Sequence, residues 1–487
     1  MNQMTAPPAD ARPLQAAAPP RASMLAPLII GSALFMQTLD ATVITNALPA
    51  MARSLHEDPL TLNLAITVYL LASAVFLPIS GWMADRFGAK PVFCVAIVGF
   101  GLASLLCGVS QDLPQLVGAR LLQGMAGAMM TPVGRLVLLR STPKSELVRA
   151  TSYLTMPAML GPVMGPLVGG FMVTHWSWRW IFFINAPMGV LGVTLVALFI
   201  PNVRETRRTP LDVRGFVLTG LGLAGLVYGF ENLGRDALPL GLVLGMLAAG
   251  LACLGLYVPH ARRTPHAILD LSLLRVRTFS ASVVGGAAIR MAMGATPFLL
   301  ALLLQLGFGL NALASGAITF TSAAAALLMK TTAGPLLRQF GFKTVLIATS
   351  LISAAAFMSY GLFRADTGYA WMVAALLVGG FFRSLQFTAL NSLAYAEIDQ
   401  PRMSRASSLS AMAQQLSQSL GVGLAALLLA GLKAAYHAPH LTAAVISPAF
   451  FVVGALPLLG LVFFLPLPRD AGAELNGRPA LQAPKAS

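Results

Sequence analysis

Fourteen stretches of about 20 mostly apolar residues occupy nearly the whole chain. They lie near 24–50, 60–82, 91–110, 114–139, 147–173, 180–200, 213–231, 238–259, 279–305, 311–335, 343–363, 370–396, 405–431 and 446–466. A hydrocarbon core about 30 Å thick is crossed by about 20 helical residues rising ~1.5 Å each. Inside it no water pairs with backbone N–H and C=O groups, so each segment must close its own hydrogen bonds as a helix. Only 10% of the residues are charged, against about 25% in soluble domains. The sequence therefore specifies an all-α polytopic membrane protein.

Charge fixes the expected orientation. With the N-terminus inside, the inner segments collect about 22 of the 32 Lys and Arg residues and the outer segments about five; the other five fall within spans. Basic residues hold short loops in the cytoplasm, so both termini are expected there. The net charge of +15 is spread over short loops and builds no basic helix or aromatic-basic patch, which argues against nucleic acid as a partner. Residues 1–22 are rich in Ala and Pro and read as a disordered cytoplasmic tail. The first apolar run is too long for a signal-peptide core and reads as a retained span. Cys94, Cys107 and Cys253 stand alone, with no metal-ligand spacing and no disulfide framework. No metal or other cofactor is expected. No GxxxxGK[ST] loop or nucleophile–base pair points to a pump driven by nucleotide or to an enzyme.

The chain repeats itself. GWMADRFGAKPV (81–92) and GPLLRQFGFKTV (334–345) each end a span with Gly, place Arg shortly before a second Gly, and resume with Lys two residues after it. Two halves on one plan are expected of transporter folds. The implied division is a tail (1–22), an N-terminal six-helix bundle (23–200), two additional helices with basic loops (201–277), a C-terminal six-helix bundle (278–467) and a second tail (468–487).

Within this apolar frame a few residues carry chemistry. Asp40 sits deep in the first span, where an acid costs roughly 2.5–3.5 kcal/mol on insertion scales. Such a group is a candidate for binding and releasing a proton. RLLQGMAGAMMTP (120–132) puts Arg120, Gln123, Gly124 and Gly127 at helical spacing. Arg120 cannot readily lose its charge and needs an acceptor; Asp40 or a backbone carbonyl is the natural one. Low dielectric favours a neutral acid and a nearby cation favours the anion, so the two influences on Asp40 compete. In GWMADRFGAK, Gly81 and Gly88 permit a tight turn and close helix approach. Asp85 can cap a helix, and Arg86 and Lys90 supply counter-charges. In GPVMGPLVGG, Gly161, Gly165 and Gly169 recur every four residues beside Gly170 and form a flat packing face, while Pro162 and Pro166 remove backbone donors and bend the helix. Trp176, Trp178 and Trp180 suit an interfacial belt.

These three motifs, with LDATVITNALPAM (39–51) as a fourth, resemble the major facilitator superfamily, and within it the 14-span drug:proton antiporter branch of the EmrB/QacA type. The resemblance covers essentially 24–466. It implies the major-facilitator fold, two six-helix bundles plus two extra transmembrane helices. It also implies proton coupling at Asp40 and Arg120, a cytoplasmic gate of Gly81, Asp85, Arg86, Gly88 and Lys90, and an antiporter motif of Gly161, Gly165, Pro166, Gly169 and Gly170. Ala89 stands where the gate motif usually has Arg, which leaves that latch one charge short.

Candidate substrate contacts are Gln37, Asn46, Gln123, Arg290, Arg383, Gln386 and Asn391; interhelical bonding is the competing role for each. If Arg290 and Arg383 face the central cavity, its charge leans positive and neutral, anionic or zwitterionic amphiphiles are favoured over dications. Lys330 lies within snorkelling reach of the inner face. The expected activity is export of small amphiphilic or drug-like compounds in exchange for protons across a bacterial inner membrane. A dedicated metabolite transporter and a non-transporting sensor or scaffold are the alternatives. The partners are the small-molecule substrate, protons and the lipid bilayer; no motif names an adaptor or outer-membrane channel.

Overall fold

A computed structural model describes residues 25–141, 147–200, 210–232, 238–264, 267–399, 402–468 and 470–472. The expected tail 1–22, most of the tail 468–487, the basic stretch 201–209, the loop holding Lys144 and the side chain of Asp85 lie outside the described residues.

The first part of the chain forms α1 (Leu25–Leu55), α2 (Pro59–Phe76), α3 (Ile79–Phe87), α4 (Ala89–Val109), α5 (Leu113–Ser141), α6 (Leu147–His175), α7 (Trp180–Phe183) and α8 (Asn185–Phe199). Two helices follow, α9 (Val213–Asn232) and α10 (Leu240–Arg263). The remainder forms α11 (Arg277–Ser280), α12 (Gly286–Leu302), α13 (Ala312–Phe340), α14 (Phe342–Tyr360), α15 (Tyr369–Leu393), α16 (Met403–Ala435), α17 (Ala443–Leu459) and α18 (Leu461–Phe464). One-turn π segments, Ala281–Gly285 and Leu303–Gly307, flank α12. Twelve helical stretches among the described residues are long and apolar enough to cross a membrane. Helices α5 and α6, 29 residues each, occupy two further expected spans but are diluted by Gly, Pro and Arg. Outward faces carry bare aliphatic and aromatic side chains such as Val95, Val190, Leu198, Trp371 and Val462, the surface lipid requires.

The repeat seen in sequence is a repeat in packing. In the first half α1 packs on α6, α2 on α5 and α4 on α8; in the second, α12 packs on α16, α13 on α15 and α14 on α17. The halves join through α2 against α16 and α6 against α13, and α9, packed on α10, touches both α2 and α16. Local chemistry repeats too. The second helix of each half starts on a side-chain cap: Asp58 Oδ1 accepts from the Leu60 amide at 2.8 Å, and Asn311 Oδ1 accepts from the Ala314 amide at 2.8 Å. Such a cap satisfies an orphan donor of the first turn.

The two related loops turn on glycines at positive φ, Gly88 at 95° and Gly341 at 77°, a region that side chains disfavour. The lysine two residues on then binds the chain at or just past the final helix of its own half. Lys90 Nζ donates to the Ala197 and Ile200 carbonyls at 2.9 and 2.6 Å, and Lys343 Nζ donates to the Leu467 carbonyl at 2.7 Å. A cation there meets orphan carbonyls and the negative end of the helix dipole.

Between helices in lipid, apolar side chains gain little by leaving an already apolar solvent, so close backbone approach matters more. The α1–α6 contact shows this. A Cβ on Gly161 would collide with Thr38 Oγ1, one on Gly165 with Thr42 Oγ1, and one on Gly169 would lie 2.9 Å from the Val43 carbonyl oxygen. Pro162 cannot donate to the Ala158 carbonyl, and Thr38 Oγ1 donates to that oxygen instead at 2.9 Å. The proline bend and the threonine that repairs it are thus one feature. Gly170 serves another contact: its Cβ would meet the Ala312 carbonyl oxygen of α13 at 2.6 Å, while one on Gly316 would meet the Pro166 carbonyl oxygen.

Candidate functional site

Asp40 lies midway along α1 and is 3% exposed. It is not a solitary acid. Arg120, fully buried on α5, donates from Nη1 to Asp40 Oδ2 at 2.7 Å. Asp40 Oδ1 accepts from Gln123 Nε2 at 2.9 Å and from Asn185 Nδ2 at 2.8 Å. Ser104 Oγ accepts from the same two amides, at 2.6 and 3.1 Å. Arg120 also donates from Nε to the Ala65 carbonyl at 3.1 Å and from Nη1 to Gln123 Oε1 at 2.6 Å. Its guanidinium carbon stands 4.3 Å from the centroid of the Tyr69 ring, within cation–π range. One carboxylate thereby ties α1, α2, α4, α5 and α8 together.

Both oxygens of the Asp40 carboxyl are occupied as acceptors in this shell. Adding a proton would cancel the attraction to Arg120 and remove one acceptor position from the shell. The arrangement can therefore convert a protonation event into loosened contacts between α1 and the other helices. The shell is buried in this conformation.

The halves close at one face. The inter-half contacts gather toward the end that bears the α1–α2 turn: Gln305 Nε2 donates to the Asn46 carbonyl at 3.1 Å, the Leu313 amide to Thr174 Oγ1 at 3.1 Å, and Lys433 pairs with Asp58 at 3.3 Å. Gly170 and Gly316 meet the opposite half at the same end.

Other expected site residues fall in varied places. Gln37 Nε2 donates to the Gly127 carbonyl at 3.0 Å and its Oε1 accepts from Thr131 at 3.0 Å, joining α1 to α5. Asn46 Nδ2 donates to the Pro166 carbonyl at 3.1 Å, and Gln386 Nε2 to Ser350 Oγ at 2.8 Å. In this conformation Gln37, Asn46 and Gln123 bond to neighbouring helices, as Gln386 does through Nε2, while Gln386 Oε1 is buried with no partner among the described residues. Asn391 and Arg383 are half-buried on α15, and Arg290 is fully buried on α12. At the gate motif, Arg86 is exposed, Gly88 makes the positive-φ turn and Lys90 caps α8. Gly81 has no neighbour within 4 Å of where a Cβ would stand, so it serves no close approach here. Trp176 and Trp180 are exposed as a belt requires, but Trp178 is 4% exposed and stacks under Arg179, whose guanidinium carbon is 4.4 Å from its ring. The alternation WSWRW turns the middle ring inward. Asn185 and Ser104 were missed by sequence reasoning. The available signal for Asn185 was a single amide in the apolar run WIFFINAP. No group of His, Cys, Asp and Glu among the described residues could hold a metal ion.

The fold agrees with comparisons to known proteins. The sequence profile of the Major Facilitator Superfamily matches residues 30–295 and 278–487. A protein of Pectobacterium atrosepticum described as "Putative multidrug resistance protein MdtD" is 36% identical over 442 residues, covering 90% of this chain and 93% of its own length. The protein of the same description from Serratia proteamaculans is 38% identical over 403 residues, covering 82% of this chain and 84% of itself. Among solved structures, a POT family transporter in complex with 5-aminolevulinic acid superposes with a TM-score of 0.67 at 15% identity, covering 91% of this chain and 95% of that one. A bacterial homologue of the human lysosomal transporter Spinster, inward-facing and unoccupied, gives 0.63 at 16% identity, covering 94% and 98%. At such identities the structures speak for the fold, and the sequence matches speak for kinship. This multi-pass membrane protein is a transporter that belongs to the Major Facilitator Superfamily.

Proposed function

We propose that the chain exports small amphiphilic, drug-like compounds in exchange for protons, crossing a bacterial inner membrane fourteen times with both termini in the cytoplasm. The observation that carries this reading is the buried Asp40–Arg120 pair at 2.7 Å, shared among five helices of one half. An ion pair is costly to hold in a bilayer protein and marks function by default. The relatives described as multidrug resistance proteins support the drug-like substrate class. The Gly161–Gly169 face of α6, with its prolines, supports the antiporter direction through the resemblance already noted, and the helix count supports the 14-span branch.

In this mechanism the α1–α2 face is the outer face, closed here by the contacts of Asp58, Thr174 and Gln305. Rocking of the halves along α2–α16 and α6–α13 would open it and close the inner face, where Gly88 and Lys90 belong to the gate with Gly81, Asp85 and Arg86. A proton entering from outside would neutralise Asp40, release Arg120 and accompany the return to the present conformation. One proton moving through 100 mV contributes about 2.3 kcal/mol. The reading is tested in proteoliposomes with an imposed inward proton gradient and a panel of fluorescent drugs. Uphill drug movement that stops on adding an uncoupler is expected. Movement of every drug at the same rate with and without the gradient would refute it.

A further inference from the structure

The two halves are charged oppositely to what symmetry suggests. The first half answers its buried Arg120 with Asp40. The helices of the second half, residues 277–307, 312–340, 342–360, 369–393, 403–435 and 443–464, contain no Asp or Glu, yet α12, α13 and α15 carry Arg290, Lys330 and Arg383. Among the described residues each cation is held only by neutral acceptors. Arg290, on the helix that corresponds to α1, donates from Nη1 to the Ser282 carbonyl at 2.9 Å, while its Nε and Nη2 are buried with no hydrogen-bond partner. Lys330 Nζ donates to Thr388 Oγ1, and Arg383 Nη2 reaches Ser322 Oγ at 3.4 Å. Lysine offers three donors and arginine five, so most of this capacity is unfilled by the described residues.

Lys330 and Arg383 both lie along the α13–α15 contact. Ser322 lies beside Arg383, the Ala326 carbonyl accepts from Ser384 Oγ at 2.9 Å, and Lys330 meets Thr388. Helices α13 and α15 therefore run parallel, with the Arg383 side chain reaching back toward the start of α13. Arg383 reaches Ser322 while Lys330 reaches Thr388, so the two cationic levels lie five to eight residues apart, ~7.5–12 Å along the axis, and the two flexible side chains must swing toward each other to share one carboxylate, sulfonate or phosphate group. Both residues are half-buried, whereas Arg290 is sealed. Uncompensated cations are expensive in a low-dielectric interior, and an arriving anion would remove that cost.

We infer that the α13–α15 groove is the seat of the anionic head of a transported amphiphile, with Lys330 and Arg383 as its paired cations. The inference rests on the export reading above and narrows its substrate to monoanionic amphiphiles. A lipid headgroup offers the same chemistry, so the test separates the two.

The probes are pyrenebutyrate, its neutral amide and a pyrenebutyl-trimethylammonium salt, which share one apolar body. Binding to the purified full chain is read by fluorescence anisotropy, without any gradient. Wild type is expected to prefer the carboxylate at least tenfold over the amide and more over the ammonium. In Lys330→Gln/Arg383→Gln the carboxylate-to-amide preference should fall to about one, and Lys330→Glu should reverse the order of carboxylate and ammonium. Equal binding of carboxylate and amide by wild type, or an unchanged preference in the double variant, would overturn the inference. So would loss in the double variant of thermal protection by phosphatidylglycerol with the pyrenebutyrate preference intact, which would assign the groove to lipid. Proton-driven uptake is then measured in phosphatidylcholine vesicles. Selective binding without driven uptake would refute the export reading and leave the groove standing; driven uptake of the ammonium alone would do the reverse.

Discussion

Asn at position 40 keeps the shape of the side chain and removes its charge. The structure gives the consequence. Arg120 would keep the Ala65 carbonyl and Gln123 Oε1 as acceptors but would stand at 0% exposure with no counter-ion. Breaking a buried pair by removing one partner costs about 3–5 kcal/mol. In a folding unit of about 150–250 residues each kcal/mol moves Tm by roughly 2–4 °C, so Asp40→Asn should lower Tm by about 6–20 °C. Arg120→Gln leaves Asp40 with the Gln123 and Asn185 donors and should fall in the same range. The double variant removes both charges and should be more stable than the sum of the single losses implies, by about 2–3 kcal/mol of coupling. Differential scanning fluorimetry of the four detergent-purified proteins measures the cycle. Additive losses, or an Asp40→Asn shift under about 2 °C, would refute the claim that these two groups hold each other in the resting protein.

Three further outcomes follow from the geometry. Gly165→Ala drives a methyl into Thr42 and should destabilise by about 1–3 kcal/mol, with partial rescue by Thr42→Ala; a thermal melt of the three variants checks it, and an unperturbed single variant would contradict it. Gly88→Ala places a side chain at φ 95° and should cost about 1–2 kcal/mol, whereas Gly81→Ala meets nothing and should be neutral or stabilising by about 0.5–1 kcal/mol. The third concerns the linker before α11. Burial pushes the Asp212 carboxyl up, but the Gly215 amide, His260 and the Ile268 amide outweigh it and hold it below the usual 3.8. A depressed acid contributes stability above its unfolded value and loses it only as pH falls through the folded one. Hydrogen exchange in 267–275 should therefore stay slow from pH 7 to 5 and become faster in Asp212→Asn throughout that range.

Helix placement was legible because the bilayer imposes a length and a composition that few other structures share. The repeat was legible for a local reason: Gly88 and Gly341, with Lys90 and Lys343, act within a few residues of one turn. Asp40 and Arg120 stood out because charge in an apolar run needs an explanation. What remained hidden depends on helix rotation and on partners far apart in sequence. Asn185 meets Asp40 across 145 positions, and nothing near it in the chain says that it faces inward. Trp178 turns in while Trp176 and Trp180 face out, which a belt of alternating tryptophans does not disclose. Gln37, Asn46 and Gln386 have the polarity of a cavity lining, yet here each donates to the helix beside it, because an amide in lipid takes the nearest acceptor.

We propose that protonation of Asp40 couples the proton gradient to transport. Steady-state accumulation of a fluorescent drug in proteoliposomes, driven by a proton potential of 100 mV, tests it directly. At about 2.3 kcal/mol per proton and 1.36 kcal/mol per tenfold, the wild type should approach a ratio of about 50. Asp40→Asn should fall to a ratio of about 1 while still exchanging drug in gradient-free counterflow. An Asp40→Asn protein that accumulates drug as the wild type does would contradict the account.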